Sequence, residues 1–404
     1  MYKEKIEAYI DAHRQEMLED ICTLCRINSE KMAYKTGKPF GEGTFQALSK
    51  ALAMAERYGF HIKNHDNYVG TIDLNDDIRH LDILAHLDVV PAGEGWTVTE
   101  PFVPVEKDGK LYGRGTADDK GPAVAALYAM RAVKELGIPL TKNCRLILGT
   151  DEECGSGDIA HYYDEEPEAP MTFSPDSSFP VYNIEKGGMN AHFTKEFDAS
   201  EALPRIRSVE AGVKINVVPG TASAVVEGME PAQISEIADA VEKETGVSYE
   251  VKATEEAASI TAVGKGAHAS TPDEGINALT GLLVLLSRLP LAPCGQVDAI
   301  NDLLALIPHG DTRGEGLGIA MSDELSGELT LAFSLLKIDE ETLDASFDSR
   351  CPLCANEDNV LKVVKERLEE KGFALHTKEM RPPHHVSGDS PFVKTLLSAY
   401  EQYT

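Results

Sequence analysis

The sequence is short of basic residues and has no long apolar run. Lys and Arg together number 38 against 67 Asp and Glu, which gives a formal net charge of −29. A surface this negative repels phosphate groups, so we expect neither nucleic acid nor an anionic membrane as a partner. No apolar stretch approaches the ~20 residues that a membrane-spanning helix needs. These absences favour a protein that binds cations or small molecules.

Cysteine is also scarce, with seven residues in all. The odd number, the low density and the lack of a basic-then-apolar N-terminal stretch predict a cytoplasmic protein without a signal peptide. Two C-x-x-C spacings, Cys22/Cys25 and Cys351/Cys354, would together suit a zinc site of four thiolates. Because one pair lies in a predicted helix and the other beside a predicted strand, we interpret them as small buried apolar side chains.

The length of 404 residues, 42% of them apolar, is enough for two or three domains. The first part alternates strands and helices, predicted at Leu81–Val90, Ala123–Leu136, Arg145–Thr150 and Met171–Phe173. A strand, a crossover helix and a second strand indicate a parallel sheet and an α/β class. In such sheets the chemistry collects beyond the carboxyl ends of the strands.

The pattern changes near Glu185-Lys186-Gly187-Gly188, and from there to about Pro383 it predicts a second, α+β domain. Its strands are predicted at Ser208–Val218, Ser223–Glu227, Ser259–Gly264, Glu328–Leu335 and Leu343–Arg350, and its helices at Ala232–Lys243, Ile276–Leu289 and Asp358–Lys371. A last helix is predicted from Ser390-Pro391 to Thr404.

Polar groups lie at or just beyond the end of each predicted strand of the first part. In His86-Leu87-Asp88, one imidazole nitrogen can bind a metal while Asp88 accepts a hydrogen bond from the other, although an isolated H-x-D is more often structural. The Gly-rich turn Gly113–Pro122 carries Asp118 and Asp119. Its glycine spacing fits neither nucleotide motif, and adjacent carboxylates would repel a phosphate.

Two more acidic turns, Asp151-Glu152-Glu153 and Asp176, follow the other strands. Taken singly, each is typical of a solvated loop. Together with the histidine they offer nitrogen and oxygen ligands suited to zinc, cobalt or manganese. Two ions roughly 3.5–4 Å apart polarise a carbonyl and lower the pKa of a shared water. A further carboxylate would act as general base, and Glu152 and Glu153 could divide the roles of base and ligand.

Five ordered segments resemble the dinuclear zinc peptidase family of aminoacylases, glutamate carboxypeptidases and bacterial dipeptidases. They are His86 to Gly93, Gly95-Trp96, Gly113 to Pro122, Thr150 to Glu153, and Ser174-Pro175-Asp176. The sequence from Gly115 to Pro122 and the Glu185-Lys186-Gly187 boundary are most similar to the dipeptidase V branch, which includes carnosinase-like Xaa-His dipeptidases.

The resemblance implies a zinc-exopeptidase-like α/β catalytic domain with a mostly parallel sheet, and an inserted α+β lid domain. The first part of the catalytic domain would span residues 1–186, the lid 187–383, and the return to the catalytic domain 384–404. Pro382-Pro383 suggest an interdomain connection, and His384-His385 would lie there. Because neighbouring histidines of an extended segment diverge, we do not interpret them as a metal site.

The resemblance also implies two Zn²⁺ ions per intact active site, with Co²⁺ or Mn²⁺ as alternatives. His86 and Asp176 would bind one ion, Asp118 would bridge, and Glu153 would bind the other. The family has a non-proline cis peptide after the bridging residue, so we expect one at Asp118–Asp119.

The remaining site residues would act on water or substrate. Glu152 would be the catalytic base and Asp88 would orient His86. From the lid, His268 would stabilise the oxyanion and Asn216 would contact the substrate beside it. Arg350 would bind the substrate carboxylate. Without the resemblance, these three lid residues would be interpreted as a loop histidine, a strand-end asparagine and a salt-bridge partner.

The predicted function is hydrolysis of unmodified dipeptides by a monomer or homodimer. An N-acyl amino acid deacylase on the same scaffold is the near alternative. The family's catalytic domain continues with a Gly-Gly-Gly-Thr segment and a metal-binding His, and neither occurs before Thr404. We therefore expect a C-terminal truncation that leaves the second metal short of one ligand, and a non-catalytic peptide-binding form is the alternative of a different class.

Overall fold

The computed structural model describes residues 2–254 and 257–403. The chain separates into two compact units, one formed by residues 2–181 with 399–403 and the other by residues 182–398. The assignment of catalytic and lid roles, with boundaries after residues 186 and 383, stays a prediction. No helix in the described ranges is both long enough and apolar enough to cross a membrane.

The first unit is built from helices and strands in alternation. Its helices are α1 (Tyr2–Cys25), α2 (Glu42–Arg57), α3 (Lys120–Glu135) and α4 (Gly157–Glu165), and its strands are β1 (His61–His65), β2 (Val69–Asp73), β3 (Arg79–His86), β4 (Val105–Lys107), β5 (Lys110–Tyr112), β6 (Asn143–Gly149) and β7 (Met171–Phe173). The helix predicted at Ala123–Leu136 is confirmed as α3, which begins three residues earlier and ends one residue earlier than expected.

Five of these strands form one sheet in the order β1-β2-β6-β3-β7. The pairs β6–β3 and β3–β7 are parallel, whereas β1–β2 and β2–β6 are antiparallel. The sheet is therefore mixed, and the expectation of a mostly parallel sheet is corrected at this edge. The cause is a tight hairpin whose turn residues Asp66 and Asn67 have φ of 52° and 63°. Two consecutive left-handed residues reverse the chain as a type I′ turn does.

Each face of this sheet is covered by helices, because alternate residues of a strand point to opposite sides. Leu146 and Leu148 pack with α1, α2 and α3, while Ile147 packs with Tyr162 of α4. All four side chains are buried. The sheet is thereby fixed on both faces, and the carboxyl ends of β3, β6 and β7 are left as one edge for polar loops.

The second unit contains an antiparallel sheet of eight strands in the order β13-β14-β12-β10-β18-β19-β9-β20. Its strands and those paired beside it are β8 (Ile184–Glu185), β9 (Gly187–Glu196), β10 (Arg205–Ala211), β11 (Val217–Val218), β12 (Thr221–Glu227), β13 (Ser248–Ala253), β14 (Ala257–Val263), β15 (Ala267–His268), β16 (Ser322–Asp323), β17 (Gly327–Glu328), β18 (Thr330–Ile338), β19 (Thr342–Cys351), β20 (Ala374–Leu375) and β21 (His384–His385). Its helices are α5 (Pro231–Thr245), α6 (Ala278–Arg288), α7 (Gly295–Leu306) and α8 (Leu361–Glu370), and α9 (Pro391–Glu401) follows.

The predicted strand Ser208–Val218 is wrong as a single element. Strand β10 ends at Ala211, and the chain turns at Gly212, where φ is 81° and a Cβ would lie 1.8 Å from the carbonyl oxygen of Ser334. Only glycine fits so close to a neighbouring backbone. The last predicted helix ends at Glu401, and its expected end at Thr404 lies outside the described residues.

All seven cysteines are free. Cys22, Cys25 and Cys351 are buried, as the interpretation of small apolar side chains requires, whereas Cys354 is exposed. Burial raises the pKa of the Cys25 thiol to about 12, which disfavours the thiolate that a zinc ligand needs.

Candidate metal centre

Three strand ends of the first unit carry acidic or imidazole side chains to one edge of the sheet. His86 is the last residue of β3 and lies opposite Gly149, the last residue of β6, in parallel register. Glu152 begins the short 3-10 turn Glu152–Cys154 that follows β6, and Asp176 follows β7. The predicted convergence of these loops at the carboxyl ends of parallel strands is confirmed.

The glycine-rich loop before α3 brings a fourth group to this edge. A Cβ on Gly121 would lie 2.0 Å from the carbonyl oxygen of Thr116, so the loop closes this tightly only with glycine there. The buried Lys120 donates to the carbonyl oxygens of Leu24 at 3.2 Å and Ile27 at 2.8 Å. These contacts fix the loop against the end of α1 and hold Asp118, whose bond to the next residue is cis as expected.

The side chains surround one nitrogen of His86. Its Nε2 atom lies 3.0 Å from Asp118 Oδ1, 3.3 Å from Asp176 Oδ2 and 3.9 Å from Glu152 Oε2. Nε2 is buried and makes no well-directed hydrogen bond to any of them. Two ligand atoms of a tetrahedral Zn²⁺ at about 2.0–2.2 Å lie about 3.3–3.6 Å apart. The Asp176 distance lies in this range and the other two lie on either side of it, so the cluster is close to the spacing of metal ligands, and its nitrogen-oxygen donor set suits a divalent metal ion.

Two overlapping groups of ligand atoms meet at this histidine. His86, Asp118 and Asp176 form one, and His86, Glu152 and Glu153 form the other, with the atoms of each group within 4.8 Å of one another. All five residues were predicted as metal ligands or base, and the structure brings them together. Their individual roles remain proposals.

Asp88 connects the two sides of this centre. His86 Nδ1 lies 3.1 Å from the backbone oxygen of Asp88 and 3.4 Å from its carboxylate. That carboxylate accepts hydrogen bonds from the backbone N–H groups of Glu152 and Glu153, each at 3.1 Å. Asp88 thus holds the acidic turn as well as facing the imidazole, a second contact that the H-x-D spacing did not predict.

Burial and the neighbouring charged groups shift the pKa values of the side chains in this centre. Burial and the neighbouring charge of Asp118 raise the pKa of Glu153 to about 7. The pKa of Glu152 is raised too, mainly by burial. The contact with His86 holds the pKa of Asp118 below its usual range, and although burial lowers the pKa of His86, the carboxylates around it shift it strongly upward. Such mutual repulsion among acids is relieved by a bound cation.

Asp119 was not assigned a role from the sequence. It is fully buried, and its Oδ2 accepts a hydrogen bond from the backbone N–H of His86 at 3.0 Å. Burial raises its pKa to about 7. Asp119 therefore positions the end of β3. The only sequence feature that could have pointed to this role is the adjacent Asp118-Asp119 pair, and the sequence of the pair does not show which of the two carboxylates faces the protein interior.

In the second unit, the structure places Asn216 and His268 side by side. Val217 of β11 pairs with His268 of β15, and the N–H of Ala269 donates to the oxygen of Asn216 at 3.0 Å. The N–H of Ser270 donates to His268 Nδ1 at 3.1 Å. Because Nδ1 is then the acceptor, the neutral ring carries its proton on Nε2, which becomes a hydrogen-bond donor.

Arg350 lies on β19 of the same unit. Its Nε and Nη2 donate to the two oxygens of Asp348, at 2.9 and 3.1 Å, in a bidentate pair. Asp348 is 2% exposed, and burial raises its pKa while Arg350 and His268 lower it. The pairing fixes the guanidinium plane and leaves Nη1 without a partner among the described residues. The salt bridge considered from the sequence is therefore present.

Comparison of the sequence with known protein families identifies the family of this chain. The profile described as peptidase family M20/M25/M40 matches residues 83–403. The chain belongs to this family. Because M20 peptidases are metal-dependent, the chain is a metal-dependent hydrolase of peptide bonds, in agreement with the ligand set around His86.

Curated relatives of the M20 chain match it almost end to end. YtjP of Bacillus subtilis (strain 168) is 35% identical over 403 residues, which are 98% of this chain and 85% of that protein. The Beta-Ala-Xaa dipeptidase of Lactobacillus delbrueckii subsp. lactis is 34% identical over 410 residues, 100% of this chain and 85% of that protein. The predicted resemblance to the dipeptidases of this family is confirmed.

The fold is shared with solved structures. Human carnosine dipeptidase 1 superposes with a TM-score of 0.54 at 18% identity, over 99% of this chain and 85% of that one. Aminoacylhistidine dipeptidase from Vibrio alginolyticus superposes with a TM-score of 0.52 at 14% identity, over 96% of this chain and 83% of that one. The expected M20 architecture, an α/β catalytic domain with an inserted α+β domain, is confirmed.

Proposed function

We propose that this M20 chain is a dipeptidase that binds two divalent ions at the centre around His86, with Zn²⁺ as the first candidate for both ions. The observation that carries the proposal is the convergence of one imidazole and four carboxylates on that edge. The 34% identity to a protein named Beta-Ala-Xaa dipeptidase supports a dipeptide as substrate. The proposal places the enzyme in the cytoplasm as a monomer or homodimer, with its excess of acidic charge and seven free thiols in support.

Four side chains would hold the ions, with one ligand fewer for the second ion than the family resemblance implies. His86 and Asp176 would bind one, Glu153 the other, and Asp118 both, since it contacts His86 on one side and Glu153 on the other. When bound, such ions polarise a carbonyl and lower the pKa of water. Asp88 would keep His86 and the acidic turn in place through its backbone and carboxylate oxygens.

Glu152 would be the catalytic base. Its Oε2 lies 3.9 Å from His86 Nε2, further than the oxygens of Asp118 and Asp176, and its side chain is about half exposed. A carboxylate at the rim of the ligand set can accept a proton from the attacking water and then donate it to the leaving amine. The raised pKa of Glu152 brings it closer to the range in which such a group works at neutral pH.

The second unit would bind the substrate. The Nε2 proton of His268 would stabilise the developing oxyanion, and Asn216 would contact the substrate beside it. Arg350, held by Asp348, would bind the free carboxylate of the dipeptide through Nη1. A site that recognises a carboxylate one residue beyond the cleaved bond selects dipeptides over longer peptides.

A substrate panel tests the proposed function. The full chain, loaded with Zn²⁺ or Mn²⁺, is incubated with dipeptides that include β-Ala-Xaa and with N-acetyl amino acids. We expect hydrolysis of the dipeptides, loss of activity with EDTA, and recovery when metal is restored. Hydrolysis of the acylated panel alone would make the chain a deacylase. Peptide binding without turnover would make it a non-catalytic binding protein, and either result would reject the proposal.

Replacement of Arg350 tests carboxylate recognition. In Arg350→Met we expect kcat/KM for a dipeptide to fall about 10–100-fold, because a hydrogen bond to a charged group is worth about 1.5–3 kcal/mol. The matched control is Arg288→Met, which removes an arginine from an exposed ion pair with Glu244 in the same unit. The parent enzyme should prefer a dipeptide to its C-terminal amide, and the Arg350 variant should not. An unchanged preference would show that another group binds the carboxylate.

A further inference from the structure

A second group of metal-ligating side chains lies in the first unit, outside the centre around His86. Asp66 stands in the turn of the β1–β2 hairpin, and His161 and Glu165 lie one helical turn apart on α4. One ligand atom from each lies within 4.8 Å of the others. Residues at i and i+4 of a helix share a face, so α4 presents its two groups to the hairpin together. We call these three residues the hairpin–helix cluster.

The central distance in this cluster suits coordination better than hydrogen bonding. His161 Nε2 lies 3.5 Å from Asp66 Oδ2, beyond the usual 2.7–3.2 Å of an N–H···O hydrogen bond. It falls within the about 3.3–3.6 Å that separates two ligands of a tetrahedral Zn²⁺. The same atom, Nε2, is buried and has no hydrogen-bond partner among the described residues. Buried polar atoms are rarely left so, and a cation would satisfy this one.

The imidazole is also held in place by its surroundings. The ring of His161 stacks on Tyr68, with centroids 4.1 Å apart and planes at 24°. Phe40 packs edge-on against Tyr68 at 5.3 Å. A ring fixed in this way loses little freedom when it binds a metal, which favours binding.

We propose that Asp66, His161 and Glu165 bind one divalent transition-metal ion, separate from the ions of the candidate metal centre. One imidazole and two carboxylates suit Zn²⁺, Mn²⁺ or Co²⁺ better than Ca²⁺, which takes six to eight oxygen ligands. Water fills the remaining positions of the ion.

Such an ion links the β1–β2 hairpin to α4, the helix that supports the acidic turn Asp151-Glu152-Glu153. The first turn of α4 contains Asp158, whose carboxylate accepts hydrogen bonds from the backbone N–H groups of Asp151, at 3.0 Å, and Thr150. The Thr150 hydroxyl donates to the carbonyl oxygen of Tyr68 in the hairpin at 2.6 Å. Thr150 and Asp151 are the two residues that precede Glu152. The ion therefore stabilises the base of the acidic turn without touching substrate.

The test is a count of bound ions in matched variants of the full chain. Asp66→Asn tolerates the left-handed backbone at φ 52°, and Glu165→Gln changes only an exposed side chain. Asp164→Asn is the control, because Asp164 is exposed beside the cluster and belongs to no ligand group among the described residues. Each protein is dialysed at a series of free Zn²⁺ concentrations, and bound zinc is measured by atomic absorption.

We expect the parent and the Asp164 variant to bind one ion more per chain than Asp66→Asn and Glu165→Gln. Loss of one ligand should weaken this ion at least about tenfold, or about 1.4 kcal/mol. The Zn²⁺-induced rise in Tm should shrink in the same two variants, and the ¹⁵N signal of His161 Nε2 should shift on Zn²⁺ addition in the parent. Equal zinc uptake in all four proteins would overturn the proposal, as would displacement of the extra zinc by equimolar Ca²⁺.

Discussion

Glu152→Gln is expected to abolish dipeptide hydrolysis while the protein keeps its metal. The glutamine preserves the length of the side chain and the backbone N–H that donates to Asp88 at 3.1 Å, so the acidic turn should hold its shape. What is lost is the carboxylate that accepts the proton of the attacking water. General-base catalysis contributes about 10²–10⁴-fold, so kcat should fall by that factor with KM little changed.

The adjacent residue provides the matched control for this result. Glu153→Gln also removes one carboxylate from the same turn and also keeps a backbone hydrogen bond to Asp88, again at 3.1 Å. We assign Glu153 to metal binding, so this variant should lose zinc affinity, and added zinc should restore part of its activity. Zinc should not rescue Glu152→Gln. If Glu152→Gln retained turnover, or if the two variants behaved alike, the division of roles between these glutamates would be wrong.

The residues of the metal centre were largely predictable, because they lie at or shortly after the ends of strands whose patterns are visible in the sequence. His86 ends one apolar segment, Glu152 and Asp176 come shortly after two others, and parallel strands bring their carboxyl ends together. The resemblance then assigned one role to each residue. Spacing alone had left open which acid of the Glu152-Glu153 pair would be the base, and the division of roles between these two residues stays a proposal.

The supporting contacts were not predictable, since they join residues far apart in the chain. Asp119 holds the end of β3 from a loop that begins more than two dozen residues later, and Lys120 reaches carbonyl oxygens near the end of α1. The turn at Asp66 gave only a weak signal, so the antiparallel edge of the sheet was missed. The turn at Gly212 was missed because the contact that requires glycine there comes from the backbone of Ser334, on a strand far away in the sequence.

Asp118→Asn is expected to have the largest effect on metal binding. Asp118 Oδ1 lies 3.0 Å from His86 Nε2, and the same side chain interacts with Glu153, so it stands between the two groups of ligands. An amide carries no charge and cannot bridge two cations with two equivalent oxygens. We expect the affinity for both ions to fall by at least about 10²-fold, the upper end of what loss of a mere supporting partner costs a metal site. Activity should fall with the metal content.

Asp176→Asn distinguishes a bridging residue from an ordinary ligand. Asp176 also lies close to His86 Nε2, at 3.3 Å, but it belongs only to the group that contains His86 and Asp118. Its replacement should weaken one ion and spare the other, so a zinc titration should still show one high-affinity site per chain. Circular dichroism of both metal-free variants should match that of the metal-free parent, because Asp118 and Asp176 take no part in either core. If Asp118→Asn also spared one ion, Asp118 would bind a single metal and the bridge would have to be assigned to another carboxylate of the centre.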